Sequence, residues 1–227
     1  MSIRVSDRVR VRRRPERGRY DRATIDAILD RALVAHVAFV DEGDPCCIPM
    51  LCARVGDRVH VHGSRASRTV RTLSGGARAC LTVTLLDGLV LARSVFEHSA
   101  NYESVVAFGR FLPVAGAAER LAALEAFTEK LLPGRWSEVR PPSPRELRAT
   151  TILGMELDQA AAKCRSGPPD DDDSADAAND VWAGVIPIVS SYGTPVASPG
   201  LRAGIPLAAS VRRLLTEVPP VARGPVS

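Results

Sequence analysis

The sequence predicts a mainly β protein, a closed or nearly closed antiparallel barrel whose openings are covered by helices. Three observations favour this fold class. Six or seven short apolar runs are separated by tight turns, only two longer helices interrupt them, and most neighbouring runs lack the intervening helix that a parallel sheet requires. The 227 residues, 45% of them hydrophobic, are enough for one domain with a buried core.

The first predicted elements are a helix and a three-stranded meander. Asp21 is a suitable N-cap, and Ile25, Ile28 and Leu29 fall on one face of the helix that follows. The meander strands are separated by turns at 41–44 and 56–57, and they are expected at 34–40, 45–54 and 58–62.

The second half of the predicted barrel begins with a helix at about 66–74, which Gly75 and Gly76 end. Asp87 and Gly88 are typical of a hairpin turn between two strands. The remaining elements are the hairpin strands at 79–86 and 89–93, a polar loop at 96–102, a strand at 104–114, an amphipathic helix at 116–132, a short helix near 144–148 and strands at 151–157 and 182–187.

The chain divides by composition into five parts. These are a basic N-terminal arm at 1–20, the barrel domain at 21–165, an acidic loop at 166–180, a last strand at 181–190 and a Pro/Gly/Ala-rich tail at 191–227. The acidic loop, SGPPDDDDSADAAND, is expected to be solvated. The tail is expected to lie over a surface such as that of a partner subunit.

Composition argues against two classes of partner. The net charge of +4 arises largely from the basic arm, and an aromatic content of 4% leaves few stacking platforms, so nucleic acid is not an expected partner. No run approaches the roughly 20 apolar residues of a membrane span, and no signal peptide is recognisable. Five cysteines, an odd number without CxxC spacing, indicate buried thiols in a reducing compartment. We therefore expect a cytoplasmic protein.

The stretch RVHVHGSRASRTVRTL at 58–73 predicts a strand, a tight turn and a helix start. Unpaired amides at a helix start attract anions, Gly63 permits close approach, and Ser64, Ser67 and Arg68 offer further donors to a phosphate. The alternative is a capped surface helix with solvated arginines.

His60 and His62 share one strand face and would form a metal site if Glu97 or His98 supplied a third ligand. An exposed polar strand face is the simpler interpretation, and no metal site is predicted. The sequence contains no GxSxG elbow, Walker loop or HExxH motif, so catalysis by side chains alone has little support.

Five runs in this order resemble one known family: IPML, VHVHGSRASRTVRTL, CLTVTLLDGLVLARS, HSANYESVVAFGRF and VWAGVIPI. They are similar to the pyridoxamine 5′-phosphate oxidase-like family of flavin-binding split barrels, most of all to its flavin-nucleotide-binding and nitroimidazole-resistance-like branch. The resemblance covers about residues 12–190. It implies a six-stranded antiparallel split β-barrel that forms a homodimer and holds FMN in a cleft at the subunit interface.

The same resemblance implies roles for individual residues. The strand at 48–51 would pass its backbone beside the isoalloxazine ring, His62 and Gly63 would lie by the ribityl chain and phosphate, and Arg68 would pair with the phosphate. Ser104 matches a polar position that reaches the flavin, and Trp182 matches a tryptophan near the C-terminal end. The candidate cofactor-binding residues are Ile48, Pro49, Met50, Leu51, His62, Gly63, Ser64, Ser67, Arg68, Thr69, Ser104 and Trp182.

Two departures from the family pattern argue against one activity of the family, the oxidation of vitamin B6. In the family, a lysine often follows the phosphate-binding arginine, whereas this chain has Thr69 at that position. The family's true oxidases also hold their vitamin phosphate with an arginine and a histidine near the C-terminal end, and no such pair follows Trp182. Vitamin B6 oxidation is therefore not expected. We expect an FMN-dependent oxidoreductase with a reduced nicotinamide or deazaflavin donor and a small organic acceptor. The alternative is a non-enzymatic flavin- or haem-binding or storage protein, with His62 or His98 as an axial ligand. Deazaflavin or haem could then replace FMN.

Overall fold

A computed structural model describes residues 5–217 as a β-barrel with five α-helices. The first four and last ten residues of the predicted arm and tail lie outside the described residues. The helices are α1 (Arg22–Arg31), α2 (Arg68–Ser74), α3 (Ala117–Leu131), α4 (Pro144–Ala149) and α5 (Ala209–Glu217). The strands are β1 (Gly18–Arg19), β2 (Val34–Asp41), β3 (Asp44–Val55), β4 (Arg58–Ser64), β5 (Arg78–Leu91), β6 (Ser99–Arg110), β7 (Leu112–Pro113), β8 (Thr150–Glu156), β9 (Ala160–Arg165) and β10 (Gly184–Pro187).

The strands follow the order β1-β9-β6-β5-β2-β3-β4-β8-β7, and β10 adds to β5. All of these pairs are antiparallel. The predicted mainly β fold with flanking helices, an antiparallel split barrel, is therefore confirmed. Within residues 5–217, no helix has the length and apolar character to cross a membrane.

The core follows from strand alternation. Ala35, Val37 and Phe39 of β2 point inward with at most 5% exposure, whereas the intervening residues face outward. Helix α1 closes one side because Ile25 and Leu29 are buried in the same cluster. Its Asp21 cap accepts the Thr24 N–H at 2.8 Å, as predicted. Each such aliphatic burial contributes about 1.5–3 kcal/mol.

Two strand predictions were wrong. Asp87 and Gly88 do not turn the chain, because β5 runs straight through them with a bulge between Leu86 and Gly88. The bulge is flanked by β6 on one side and β10 on the other, so both edges of β5 are paired there. The end of the predicted loop at 96–102 belongs to β6. Strand β9, AAAKCR, was not predicted because alanine and lysine have low β propensity.

The segments outside the barrel are more ordered than composition predicted. Val9 of the arm is buried, and β1 pairs with β9. The acidic loop is not fully solvated: Asp171 is 0% exposed and accepts hydrogen bonds from the backbone and guanidinium of Arg93, at 2.6 and 3.0 Å. Helix α5 lies in the predicted tail. All five cysteines are free thiols; Cys52 is buried, whereas Cys47 is exposed, contrary to prediction.

Candidate functional site

A cleft opens where strands β3 and β4 diverge. Strand β4 pairs only with residues 52–55 of β3, whereas it pairs with β8 along its whole length. The preceding part of β3 therefore has β2 on one side and an open edge on the other. A cavity of about 300 Å³ occupies this gap, at the lower end of the range for small-molecule sites. Its lining residues are Ile48, Pro49, Met50, Leu51, His62, Gly63, Ser67, Thr69 and Val70.

The open edge presents backbone polar groups to the cleft. The Cys52 N–H donates to Leu33 O at 3.1 Å, on the β2 side. Because backbone groups of successive strand residues point to opposite sides, the N–H of Leu51 and the C=O of Pro49 point into the cleft, whereas the pairing of Cys52 with Val61 engages the C=O of Leu51 with β4. Pro49 has no N–H to leave unpaired at this edge. The cleft wall therefore offers one backbone donor and one backbone acceptor.

The opposite wall is the turn from β4 into α2. Ser67 caps the helix by accepting the Val70 N–H at 3.5 Å, and the Ser64 hydroxyl accepts the Ala66 N–H at 3.3 Å. Within residues 5–217 neither hydroxyl donates a hydrogen bond, so the proton of Ser67, which lines the cleft, can reach an acceptor there. The Val70 side chain packs so closely here that a Cβ on Gly63 would lie 2.8 Å from Val70 Cγ2. A larger residue at this position would therefore displace Val70.

His62 contributes an imidazole to the cavity lining. Its Nδ1 is buried and has no hydrogen-bond partner among the described residues. Burial lowers its pKa, so the ring is neutral near pH 7. His62 is the one titratable side chain among the lining residues, so it is the side chain of the cleft that can exchange a proton.

His60 differs from the sequence expectation of an exposed polar strand face. It is 1% exposed, and both ring nitrogens lack hydrogen-bond partners within the described chain. Burial is the main cause of its lowered pKa, and the charge of Arg58 lowers the pKa further. Within residues 5–217, no group of three or more His, Cys, Asp or Glu side chains is arranged to hold a metal ion.

The structure places Arg68 beside the cleft and not in its lining. Its side chain is 67% exposed, and its Nε lies 3.6 Å from Asp41 Oδ2. The Asp41 carboxylate also accepts a hydrogen bond from the Thr72 hydroxyl. Arg71, further along α2, donates to Ala66 O at 3.2 Å. Arg68 is thus the arginine whose side chain is held weakly and can turn toward an anion.

Eight of the twelve predicted residues line one cavity, and Ser64 and Arg68 border it. Ser104 and Trp182 are not in the lining. The Ser104 hydroxyl donates to Lys163 O at 3.1 Å, and Trp182 is 65% exposed and packs over Gly184. Val70 was missed, although its position three residues after the Ser67 cap marks it as a buried first-turn residue.

An uncharged surface lies on the outer side of the sheet. The outward residues of β3, β2, β5 and β6 include no Asp, Glu, Lys or Arg over fifteen positions. Arg78 and Arg110 stand at the border, and so do Lys163 and Arg165 of β9. We call this surface the sheet face. Its residues are Val34, His36, Ala38, Val40, Cys47, Pro49, Leu51, Cys80, Thr82, Thr84, Leu86, Tyr102, Ser104, Val106 and Phe108.

The part of the chain that forms this cleft matches a known protein family. A family model described as pyridoxamine 5′-phosphate oxidase matches residues 21–164, which include α1, both cleft strands and α2. The chain belongs to the pyridoxamine 5′-phosphate oxidase family. This confirms the family resemblance found in the sequence. No curated protein matches this pyridoxamine 5′-phosphate oxidase family member.

Solved structures resemble this family member over most of its length. The flavocytochrome Anf3 from Azotobacter vinelandii is 38% identical, with a TM-score of 0.85, over 92% of this chain and 97% of that one. An FAD and haem binding protein from Mycobacterium smegmatis is 41% identical, with a TM-score of 0.82, over 87% and 97%. A 5-nitroimidazole antibiotic resistance protein from Bacteroides thetaiotaomicron, 21% identical over 64% and 85%, shares the fold with a TM-score of 0.54.

Proposed function

We propose that the chain binds a flavin nucleotide in the cleft. The open edge of β3 carries this proposal. The flavin pyrimidine ring presents an N–H between two carbonyl oxygens. The Leu51 N–H would donate to one of these oxygens, and the Pro49 carbonyl would accept from the ring N–H. Ser67, Thr69 and Arg68 would hold the phosphate. Gly63 fits this role because it lines the cleft and its lack of a Cβ lets Val70 pack against the turn.

FMN and FAD differ only in the part of the ligand that would lie beyond the cleft. Both ligands contain the isoalloxazine ring, the ribityl chain and the first phosphate, which are the groups that the lining residues would contact. The family resemblance of the sequence favours FMN, whereas the relative that is 41% identical binds FAD and haem. We favour FAD on that basis. Mass spectrometry of the cofactor released from purified protein would distinguish FAD, FMN and deazaflavin.

We further propose that the protein is an oxidoreductase with a reduced nicotinamide or deazaflavin donor and a small organic acceptor. Bound flavin supplies hydride and electron transfer, so the chain must bind and orient it. The lining is consistent with that role, since it contains one titratable group, the neutral His62. Its imidazole can hold a proton beside the cleft. Flavin retained without turnover of NADH or NADPH against nitro compounds and quinones would contradict the enzymatic part.

Haem is a second candidate cofactor because of the loop before β6. His98 Nδ1 lies 2.8 Å from Ser94 O, a contact that fixes the tautomer with Nε2 free to bind iron. Val95 and Phe96 in the same loop are 90% and 86% exposed, as apolar walls of an unfilled site would be. The two relatives that cover most of the chain are a flavocytochrome and an FAD and haem binding protein.

A homodimer with the cofactor at the interface is also proposed. The uncharged sheet face supports it, because surfaces of this size without charge are typical of protein interfaces. Pro49 and Leu51 belong to this face, and their backbones form the cleft wall. A second subunit would therefore enclose a cavity that is open in one chain.

The flavin proposal is tested by removing one backbone donor. Leu51→Pro deletes the N–H that points into the cleft, and Leu51→Ala keeps that N–H. We expect Leu51→Pro to weaken flavin binding by about 0.5–1.5 kcal/mol, the net value of one hydrogen bond, whereas Leu51→Ala retains it. Circular dichroism would verify the fold. Equal affinities of the two folded variants would contradict the proposed contact.

The haem proposal is tested by the Soret band after haem addition. We expect His98→Ala to abolish the shifted band and His62→Ala to retain it. The reverse result would assign iron ligation to His62, and a band unchanged in both variants would contradict histidine ligation at either position.

A further inference from the structure

The segment between β10 and α5, residues 189–207, is here called the strap. Every one of its residues is exposed, and Arg202 is its single charged residue. Its large apolar side chains are Val189, Tyr192, Val196, Leu201, Ile205 and Leu207, with exposures of 41%, 53%, 93%, 47%, 44% and 48%. The strap has the Pro, Gly and Ser of a solvated linker, but it also carries six large apolar side chains and a single charge, which such linkers usually lack.

Both ends of the strap are fixed to the barrel domain. At its start, the Ile188 N–H donates to Asp87 O at 2.9 Å, which continues the pairing of β10 with β5. At its end, the Ser210 N–H donates to Glu138 Oε1 at 2.8 Å, and Ser210 is 1% exposed. The strap is therefore held in place at both ends, while each residue between them stays exposed.

The strap and the sheet face have matching chemistry. Neither carries charge beyond Arg202, and each exposes apolar side chains to solvent in a single chain. Apolar surface left in water costs about 25 cal/mol per Å² relative to burial. The Arg8 guanidinium of the arm lies 5.6 Å from the centroid of the Phe108 ring, at the edge of the sheet face. The other side chains of both surfaces are apolar or uncharged apart from Arg202, so an uncharged surface is the expected occupant of both.

We propose that the strap of each subunit lies across the sheet face of its partner in a homodimer. This inference rests on the dimer proposed above. Two-fold symmetry gives each chain one strap to donate and one sheet face to cover. The sheet face supplies fifteen residues, fewer than the roughly 20–30 per side of a standard interface, and the strap's nineteen residues bring the surface to full size.

The exchange has a consequence for the cleft. Pro49 and Leu51 of the sheet face also form the cleft wall. The strap of the partner subunit would therefore complete the enclosure of the cofactor site, so that the site depends on both chains.

Photo-crosslinking of the full-length protein tests the exchange. Val196 is replaced by p-benzoylphenylalanine, and the matched control carries the same residue at exposed Glu125 of α3. Sedimentation first determines the assembly state. After irradiation, we expect a covalent dimer from the Val196 position, with the adduct on sheet-face peptides, and none from the Glu125 position. A dimer that forms only intrachain adducts at Val196 would overturn the strap exchange and leave the dimer intact. A monomer by sedimentation would overturn both.

A second variant separates packing on the partner from packing on the same chain. The double substitution Val196→Asp and Leu201→Asp places two charges in the strap. We expect the dimer dissociation constant to rise at least tenfold, with the secondary structure of the monomer unchanged by circular dichroism. An unchanged dissociation constant would contradict the proposed contact.

Discussion

The ring of His62 packs edge-on against Phe127, with 4.5 Å between ring centroids and an interplanar angle of 69°. His62 lines the cleft, whereas Phe127 belongs to α3, outside the barrel. Phe127 is 5% exposed, so its ring is fixed by the packing of the helix. Helix α3 therefore supports the one titratable side chain of the cleft lining.

Phe127→Leu should weaken this support. Loss of an aromatic pair costs about 0.5–1.5 kcal/mol, so the free energy of unfolding should fall by that amount or more. Flavin affinity should fall as well, because His62 loses its fixed orientation. Urea denaturation and flavin titration measure the two effects, and Phe127→Tyr, which keeps the ring edge, is the control. Unchanged affinity in a destabilised Phe127→Leu variant would show that α3 does not position His62.

Stability should decrease in mildly acidic solution because His60 and His62 are buried as neutral rings. Burial lowers both pKa values below the unfolded value of about 6.5. The unfolded chain then binds more protons than the native chain below that pH, so the free energy of unfolding falls as pH drops through about 6.5 toward the native pKa values.

Urea denaturation between pH 8 and pH 5 measures this decrease. His60→Leu should remove the contribution of His60 to the slope. The unsubstituted protein, measured over the same pH range, is the control. A slope that His60→Leu does not alter would show that another group titrates in this range.

Lys130 joins three elements behind the cleft. Its Nζ donates to Leu29 O of α1 at 2.7 Å and to Cys52 O of β3 at 2.8 Å. Burial lowers the pKa of the ammonium group. Lys130→Met would leave two carbonyl groups without this donor, at about 1–3 kcal/mol for a buried unsatisfied group.

In urea denaturation, we expect the free energy of unfolding of Lys130→Met to fall by this amount. The control is Lys163→Met, which changes a lysine on β9 and should alter the free energy of unfolding only slightly. Because Cys52 follows Leu51, flavin affinity should also fall in Lys130→Met. A stability equal to that of the Lys163 variant would mean that water replaces the ammonium group without loss.

Local patterns in the sequence were enough to predict most strands of the barrel and the turn from β4 into α2, which forms one cleft wall. The other wall, the strand at 48–51, was expected only from the family resemblance. Contacts between distant residues were not predictable in this way. Asp171 and Arg93 lie 78 positions apart, and the acidic composition around Asp171 hid its burial. His60 is buried because Gly154 of β8 and α3 pack around it, which its own strand pattern does not reveal.

Arg68 provides the test of the phosphate end of the cleft. A hydrogen bond to a charged group contributes about 1.5–3 kcal/mol, and the 67% exposure of Arg68 places its contribution at about 1.5 kcal/mol, roughly tenfold in affinity. Arg68→Ala should therefore raise the flavin dissociation constant about tenfold, with less effect at high salt because exposed charges are screened. The control is Arg71→Ala, since the Arg71 guanidinium is engaged by Ala66 O.

Asp41→Asn should act in the opposite direction. Asparagine keeps an oxygen for the Thr72 hydroxyl and removes the carboxylate that lies 3.6 Å from Arg68. Release of Arg68 from an exposed ion pair should strengthen flavin binding by about 0.2–1 kcal/mol. Isothermal titration of the apoprotein with FMN and with FAD measures both substitutions. If Arg68→Ala and Arg71→Ala bind flavin equally well, the phosphate lies away from the start of α2.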